Sequence, residues 1–193
     1  MIKRTGVGTL GCFIALTSFV TAAQSKTAVK PAAEDTRGFN EFSTKVQQYV
    51  KLHRRAESAV PKLRHTASPA LIAAHQQALA EKIREARKNA RLGDIFTPDA
   101  ALAFRHATDR EFQGAHGKNA RATIQQGEPL KNVHLRVNQT YPQTLPYTSV
   151  PPTLLLKFPK LPDEVAYRIV DHDLILLDVK ANLVVDVLPK ALP

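Results

Sequence analysis

Apolar residues recur every three or four positions over residues 39–127 and every second position near the end of the chain, a change of period that predicts helices followed by strands. Phe39, Phe42, Val46, Tyr49, His53 and Ala56 share one face of a helix running from Asn40 to about Val60, which Pro61 ends. Ser68 and Pro69 form a helix start and Gly93 a stop, with Ile72, Gln76, Leu79, Ile83, Ala86 and Ala90 as the stripe between them. Thr97-Pro98-Asp99 repeats the start signal. A third helix should therefore run to about Phe112 with Ala101, Phe104 and Thr108 inward. A short fourth helix is expected from Lys118 to Gln126, between Gly117 and Gly127.

After Gly127 the pattern alternates. Val133, Leu135 and Val137 interleave with His134 and Arg136 and predict a half-exposed strand. Pro142, Pro146, Pro151 and Pro152 then exclude a regular ladder and suggest an extended arm laid across the rest of the protein. From Val165 to Leu188 the chain reads as an antiparallel meander: Val165, Tyr167 and Ile169 on one side of a strand, Leu174 to Leu177 apolar on both sides, and Leu183, Val185 and Val187 alternating again. A strand apolar on both faces belongs in the middle of a sheet covered on both sides. Asp171-His172-Asp173 and Lys180-Ala181-Asn182 supply the turns, with Asn182 in the left-handed position. The fold class is α+β: three or four N-terminal helices at 39–127, then a Pro-rich arm and β-meander at 128–193, packed as one domain.

The first residues have a different character. Lys3 and Arg4 precede an uncharged run from Thr5 to Ala23 that closes on small residues, the three parts of an export signal over 1–23 with cleavage after Ala22 or Ala23. The alternative for the same run is an uncleaved inner-membrane anchor. Residues 24–38, polar and alanine-rich, read as a flexible leader. Cys12, the only cysteine, falls inside the signal, so a mature chain would have neither disulfides nor thiolate ligands. The expected location is the periplasm or the exterior. Without Trp and with few aromatics, the core should be filled mainly by Leu, Ile, Val and Ala.

Charge divides the chain unevenly. The net value is +10. Lys26 to Gly127 holds 18 basic and 10 acidic residues, whereas Glu128 to Pro193 holds 7 of each. A basic half attracts polyanions, and outside the cytoplasm these are lipid headgroups or wall polymers rather than nucleic acid. Arg84, Arg87, Lys88 and Arg91 fall at i, i+3, i+4 and i+7 and form a strip beside the apolar stripe of the second helix. They are the candidate anionic-surface contacts, against the plainer reading of a solvated face partly neutralised by Glu81 and Glu85.

Signs of an enzyme are sparse: no G-x-S-x-G elbow, H-E-x-x-H helix, phosphate loop or dinucleotide fingerprint occurs, and no cofactor is called for. His106 and Asp109 share a predicted helix face and, with His172, are the candidate metal ligands, although a simple hydrogen bond is the more common use of such a pair. Three consecutive side chains such as Asp171-His172-Asp173 point in alternating directions and suit a turn better than an ion.

The stretches GDIFTPDAALAFR (Gly93 to Arg105), LRVNQTYP (Leu135 to Pro142) and PPTLLLKFPKLPDEVAYRIVDHDLILLDVKANLVVDVLP (Pro151 to Pro189) resemble a family of exported bacterial proteins to which no activity is assigned. That resemblance implies an envelope or secreted location. The ending YRIV, DLILLDV, NLVVDVL is also similar to small C-terminal hairpin modules of periplasmic proteins, some of them linked to nickel and cobalt homeostasis. The resulting expectation is a non-enzymatic envelope protein that binds an anionic envelope component or another envelope protein, with peripheral membrane contact. The alternatives are a periplasmic protein of nickel, cobalt, zinc or copper homeostasis and, third, a hydrolase without a recognisable signature.

Overall fold

Three strands at the end of the chain, β1 (Val165–Val170), β2 (Asp173–Asp178) and β3 (Leu183–Leu188), pair antiparallel in the order β1-β2-β3. The computed structural model describes residues 33–63, 67–114, 117–125, 133–142, 144–146 and 148–192; the predicted export segment, the leader up to residue 32, His65 and His116 lie outside them. Ahead of the strands come α1 (Ala33–Ser58), α2 (Pro69–Ala86), α3 (Pro98–Gln113), α4 (Gly117–Gln125) and the single turn α5 (Pro152–Leu155). The architecture is α+β, as the change of period predicts. No described helix is long and apolar enough to cross a membrane.

The sheet has two apolar faces, and each is covered by a different part of the chain. Tyr167, Ile169, Leu174, Leu176, Leu183 and Val185 pack with the helices. On the other face Val170, Ile175, Leu177, Val184 and Val187 meet Tyr141, Val133, Leu135 and Leu145 of the arm. Every residue from Leu174 to Asp178 and from Leu183 to Leu188 is buried. The aromatic residues, few as they are, converge at the centre of the helical side: Phe104 lies 4.8 Å from Phe42, 4.6 Å from Phe158 and 5.8 Å from Tyr167, mostly edge to face.

Several boundaries differ from the sequence reading. Helix α1 starts at Ala33 rather than Asn40, so part of the expected leader is helical, with Glu34 and Asp35 in the first turn where acidic groups suit the helix dipole. Gly38 lies inside that helix, and a Cβ there would overlap the carbonyl oxygen of Asp99. It permits close approach of α1 to the start of α3. Helix α2 ends at Ala86 instead of near Gly93, because Arg87 leaves helical geometry to engage the arm. Leu79, Ala80 and Ile83 are its buried residues, while Ile72 is largely exposed. The strand expected at 133–137 does not form. Among the described residues the arm's main chain bonds to β3 at the Thr140–Leu183 bridge and through nearby bonds such as Asn138 N to Val184 O at 2.8 Å.

A bulge decides what β3 presents to the helices. Leu176 faces Asp186 while Leu177 faces Val184, leaving Val185 as the extra residue. A bulge turns two successive side chains to the same face, so Asp186 joins Val185 on the helical side. There Oδ1 accepts from Gly93 N (3.0 Å) and Val187 N (2.9 Å), and Oδ2 from Ile95 N and Phe96 N, both at 2.8 Å. One carboxylate thus folds the α2–α3 loop, and Gly93 supplies the positive φ of 86° that the loop requires. Asp186→Ala should cost at least about 3 kcal/mol, because it strands several buried N–H groups. Urea denaturation checks this, with Asp186→Asn losing less.

Candidate functional site

Strand β2 ends on a second buried carboxylate. Asp178 Oδ2 accepts the Tyr49 hydroxyl at 2.6 Å and the His53 Nδ1–H at 2.5 Å, and Oδ1 accepts Lys180 N at 3.0 Å and Ala181 N at 2.8 Å. Tyr49 and His53 sit one turn apart on α1, so this group ties the long helix to the β2–β3 turn. A carboxylate that already accepts a hydroxyl on the same oxygen fixes the histidine proton on Nδ1. Burial first, then the charge of Asp178, pushes the Tyr49 phenol far above its ordinary range, so it stays a donor. Glu57 Oε2 lies 3.6 Å from His53 Nε2, outside hydrogen-bond reach. The Lys180 ammonium, 2.8 Å from Glu57 Oε1, holds that carboxyl below its usual value against the effect of burial.

Carboxylate, imidazole and tyrosine together are the parts that orient a general base. Here His53 and Asp178 have no solvent exposure at all. The adjoining depression of about 430 Å³ is lined by Arg54, Glu57, Ser58, Lys62, Leu63 and His75. Its one hydroxyl, Ser58 Oγ, donates to Arg55 O at 2.7 Å instead of meeting the imidazole. The geometry therefore makes the cluster a fastener between helix and sheet.

The basic strip is divided by the fold. Arg84 Nε donates to Asn138 O at 3.0 Å, and its guanidinium also reaches the Thr140 hydroxyl. Arg87 donates to Asn138 Oδ1 and to Val185 O, both at 3.0 Å, and stacks 5.1 Å from the centre of the Tyr49 ring. Asn138 Nδ2 returns a bond to Arg87 O at 2.8 Å from a left-handed backbone with φ 63°. Burial lowers the Arg87 pKa, opposed by the charges of Asp186, Asp94 and Asp178. These two arginines hold the arm. Lys88 and Arg91 remain exposed, and neither forms an ion pair among the described residues.

His106 and Asp109 do not act as a pair. His106 Nδ1 donates to Asp35 Oδ1 at 2.8 Å, with the Arg110 guanidinium 2.9 Å from Oδ2, whereas Asp109 is exposed. His172 is exposed on the β1–β2 turn, 3.7 Å from Asp171, whose φ of 54° is that of a turn. Asp173 Oδ1 accepts Lys190 N at 2.9 Å. Among the described residues no three His, Cys, Asp or Glu side chains converge as a metal site.

Sequence reasoning placed His53 on the apolar stripe but assigned no role to Asp178, Asp186 or Asn138. The available signal was a carboxylate inside an otherwise apolar run, DLILLD and LVVDVL, where a charge is expensive unless its donors are waiting.

Burial raises the pKa of Asp35, but the bonds from His106 and Arg110 outweigh it and hold the carboxyl below its usual range. Glu164 is likewise depressed, its Arg54 partner at 2.8 Å overcoming burial. A depressed group binds its proton less readily when folded, so its stabilisation is complete above the unfolded pKa of about 4 and is lost as pH falls through the folded value. The urea midpoint should fall between about pH 5 and about pH 3, and less so in Asp35→Asn. Equal slopes in the two proteins would contradict this. Tyr49→Phe should cost about 1–2 kcal/mol by the same assay.

The chain matches no family model, no curated protein and no solved structure.

Proposed function

We propose that the protein is an exported, non-enzymatic binding protein that engages an anionic envelope component through its helical half. The supporting observation is the division of the basic strip: Arg84 and Arg87 are turned inward onto Asn138, while Lys88 and Arg91, just past the end of α2, keep their charges in solvent. The 18 basic and 10 acidic residues of Lys26 to Gly127 give the surrounding surface the same sign. The sealing of His53 and Asp178 supports binding over catalysis, since the best-oriented imidazole of the described residues has no access to a substrate. An exported location rests on the export signal read in the first residues.

Sedimentation with phosphatidylglycerol vesicles tests the reading. At low ionic strength the protein should pellet with the vesicles, and added salt should release it. Reversing Lys88 and Arg91 together to Glu should weaken binding by about tenfold or more, at about 1 kcal/mol per cation near the surface. Arg84 and Arg87 are unsuitable targets, because their loss would free the arm. Unchanged binding of the double variant would refute the proposal.

A further inference from the structure

Strand β1 lies at one end of the sheet, and among the described residues its outer edge is only partly occupied. Thr148 pairs with Ile169 through both main-chain bonds, at 2.9 and 3.0 Å. Inward and outward residues alternate along a strand, so Val165 and Tyr167 also turn their main-chain groups outward. The bond from Val179 N to Glu164 O on the inner side has the same phase. Pro162 O takes the Val165 N–H at 3.2 Å, and the Arg168 guanidinium takes the Tyr167 carbonyl at 2.8 Å. The Tyr167 N–H has no main-chain partner among the described residues.

Residues 165–168 form one wall of a groove of about 590 Å³. Past Thr148 the arm turns away into α5, and the opposite wall consists of Val150, Leu155, Leu156, Phe158 and Leu161. Leu156 is 87% exposed and Leu155 47% at the rim. The charged side chains of the lining, Lys160 and Arg168, are both cationic.

We propose that this groove receives an extended peptide segment of another protein, apolar along its length and acidic at one end, as an added strand beside Val165–Tyr167. Main-chain pairing there would satisfy the Tyr167 N–H. The apolar wall would take alternate side chains, and Lys160 the acidic end. An acyl chain would fill the groove but leave that N–H unpaired.

The probe is a fluorescent peptide of alternating valine and threonine ending in two aspartates, titrated onto the full chain by anisotropy. Saturable binding is expected, together with slower hydrogen exchange at the Tyr167 amide. The same peptide N-methylated on the residues facing β1 should bind about tenfold more weakly or worse, since it loses the main-chain bonds and keeps the side chains. Lys160→Glu should weaken binding of the unmodified peptide, while Lys88→Glu with Arg91→Glu should leave it unchanged and so separate this site from the anionic surface. Three results would each overturn the proposal: equal affinity for both peptides, binding of dodecanoate without binding of peptide, or a dimer in which the Tyr167 amide is already protected.

Discussion

A sheet of three strands whose central strand is apolar on both faces cannot leave either face in water. In this protein that constraint organises everything else. The helices cover the face that carries Tyr167, Leu174 and Leu176, and the arm covers the face that carries Ile175, Leu177 and Val184. The two covers are unlike in kind. A helix satisfies its own main chain and needs only side-chain contacts, whereas a proline-rich segment has few ladder bonds and must be fixed by other means.

Arg84 and Arg87 provide that fixing. They reach from the end of α2 to the main chain and side chain of Asn138, and Arg87 also takes the carbonyl of the bulged residue Val185. Planar guanidinium groups suit this task because each presents several donors in a fixed arrangement, which a lysine could not reproduce. The same attachment explains why α2 stops at Ala86: the next residue is committed to the arm and the sheet. The fold therefore divides one strip of four cations into an inward pair, which holds the arm, and an outward pair, which stays in solvent.

Asp178 and Asp186 complete the assembly from the sheet side. Each is buried, and each accepts donors from distant parts of the chain, the Tyr49 hydroxyl and the His53 ring for Asp178 and the loop N–H groups of Gly93, Ile95 and Phe96 for Asp186, beside main-chain N–H groups close in sequence. A buried carboxylate with its donors in place fixes one arrangement and penalises others, since any shift leaves a charge unpaired in a medium that solvates it poorly. The aromatic cluster around Phe104 fills space between the same elements without such directional demands.

Local signals carried much of this description. The caps at Ser68 and Thr97, the left-handed Asn182 and the two-faced strand at Leu174 to Leu177 depend on neighbours close in sequence, and the structure keeps each of them. Other features depend on partners far along the chain. The start of α1 at Ala33 is coupled to His106 and Arg110, which meet Asp35; the early end of α2 depends on Asn138; and the strand expected at 133–137 gives way because the arm lies on a face of the sheet instead of extending it. Periodicity reports which side of an element is apolar, but it does not report which donor will meet a buried carboxylate. That is why sequence alone determined the α+β class, the placing of helices ahead of the sheet and the excess of positive charge, whereas only the tertiary structure decided that two of the four strip cations face solvent and that, among the described residues, part of the outer edge of β1 is unpaired.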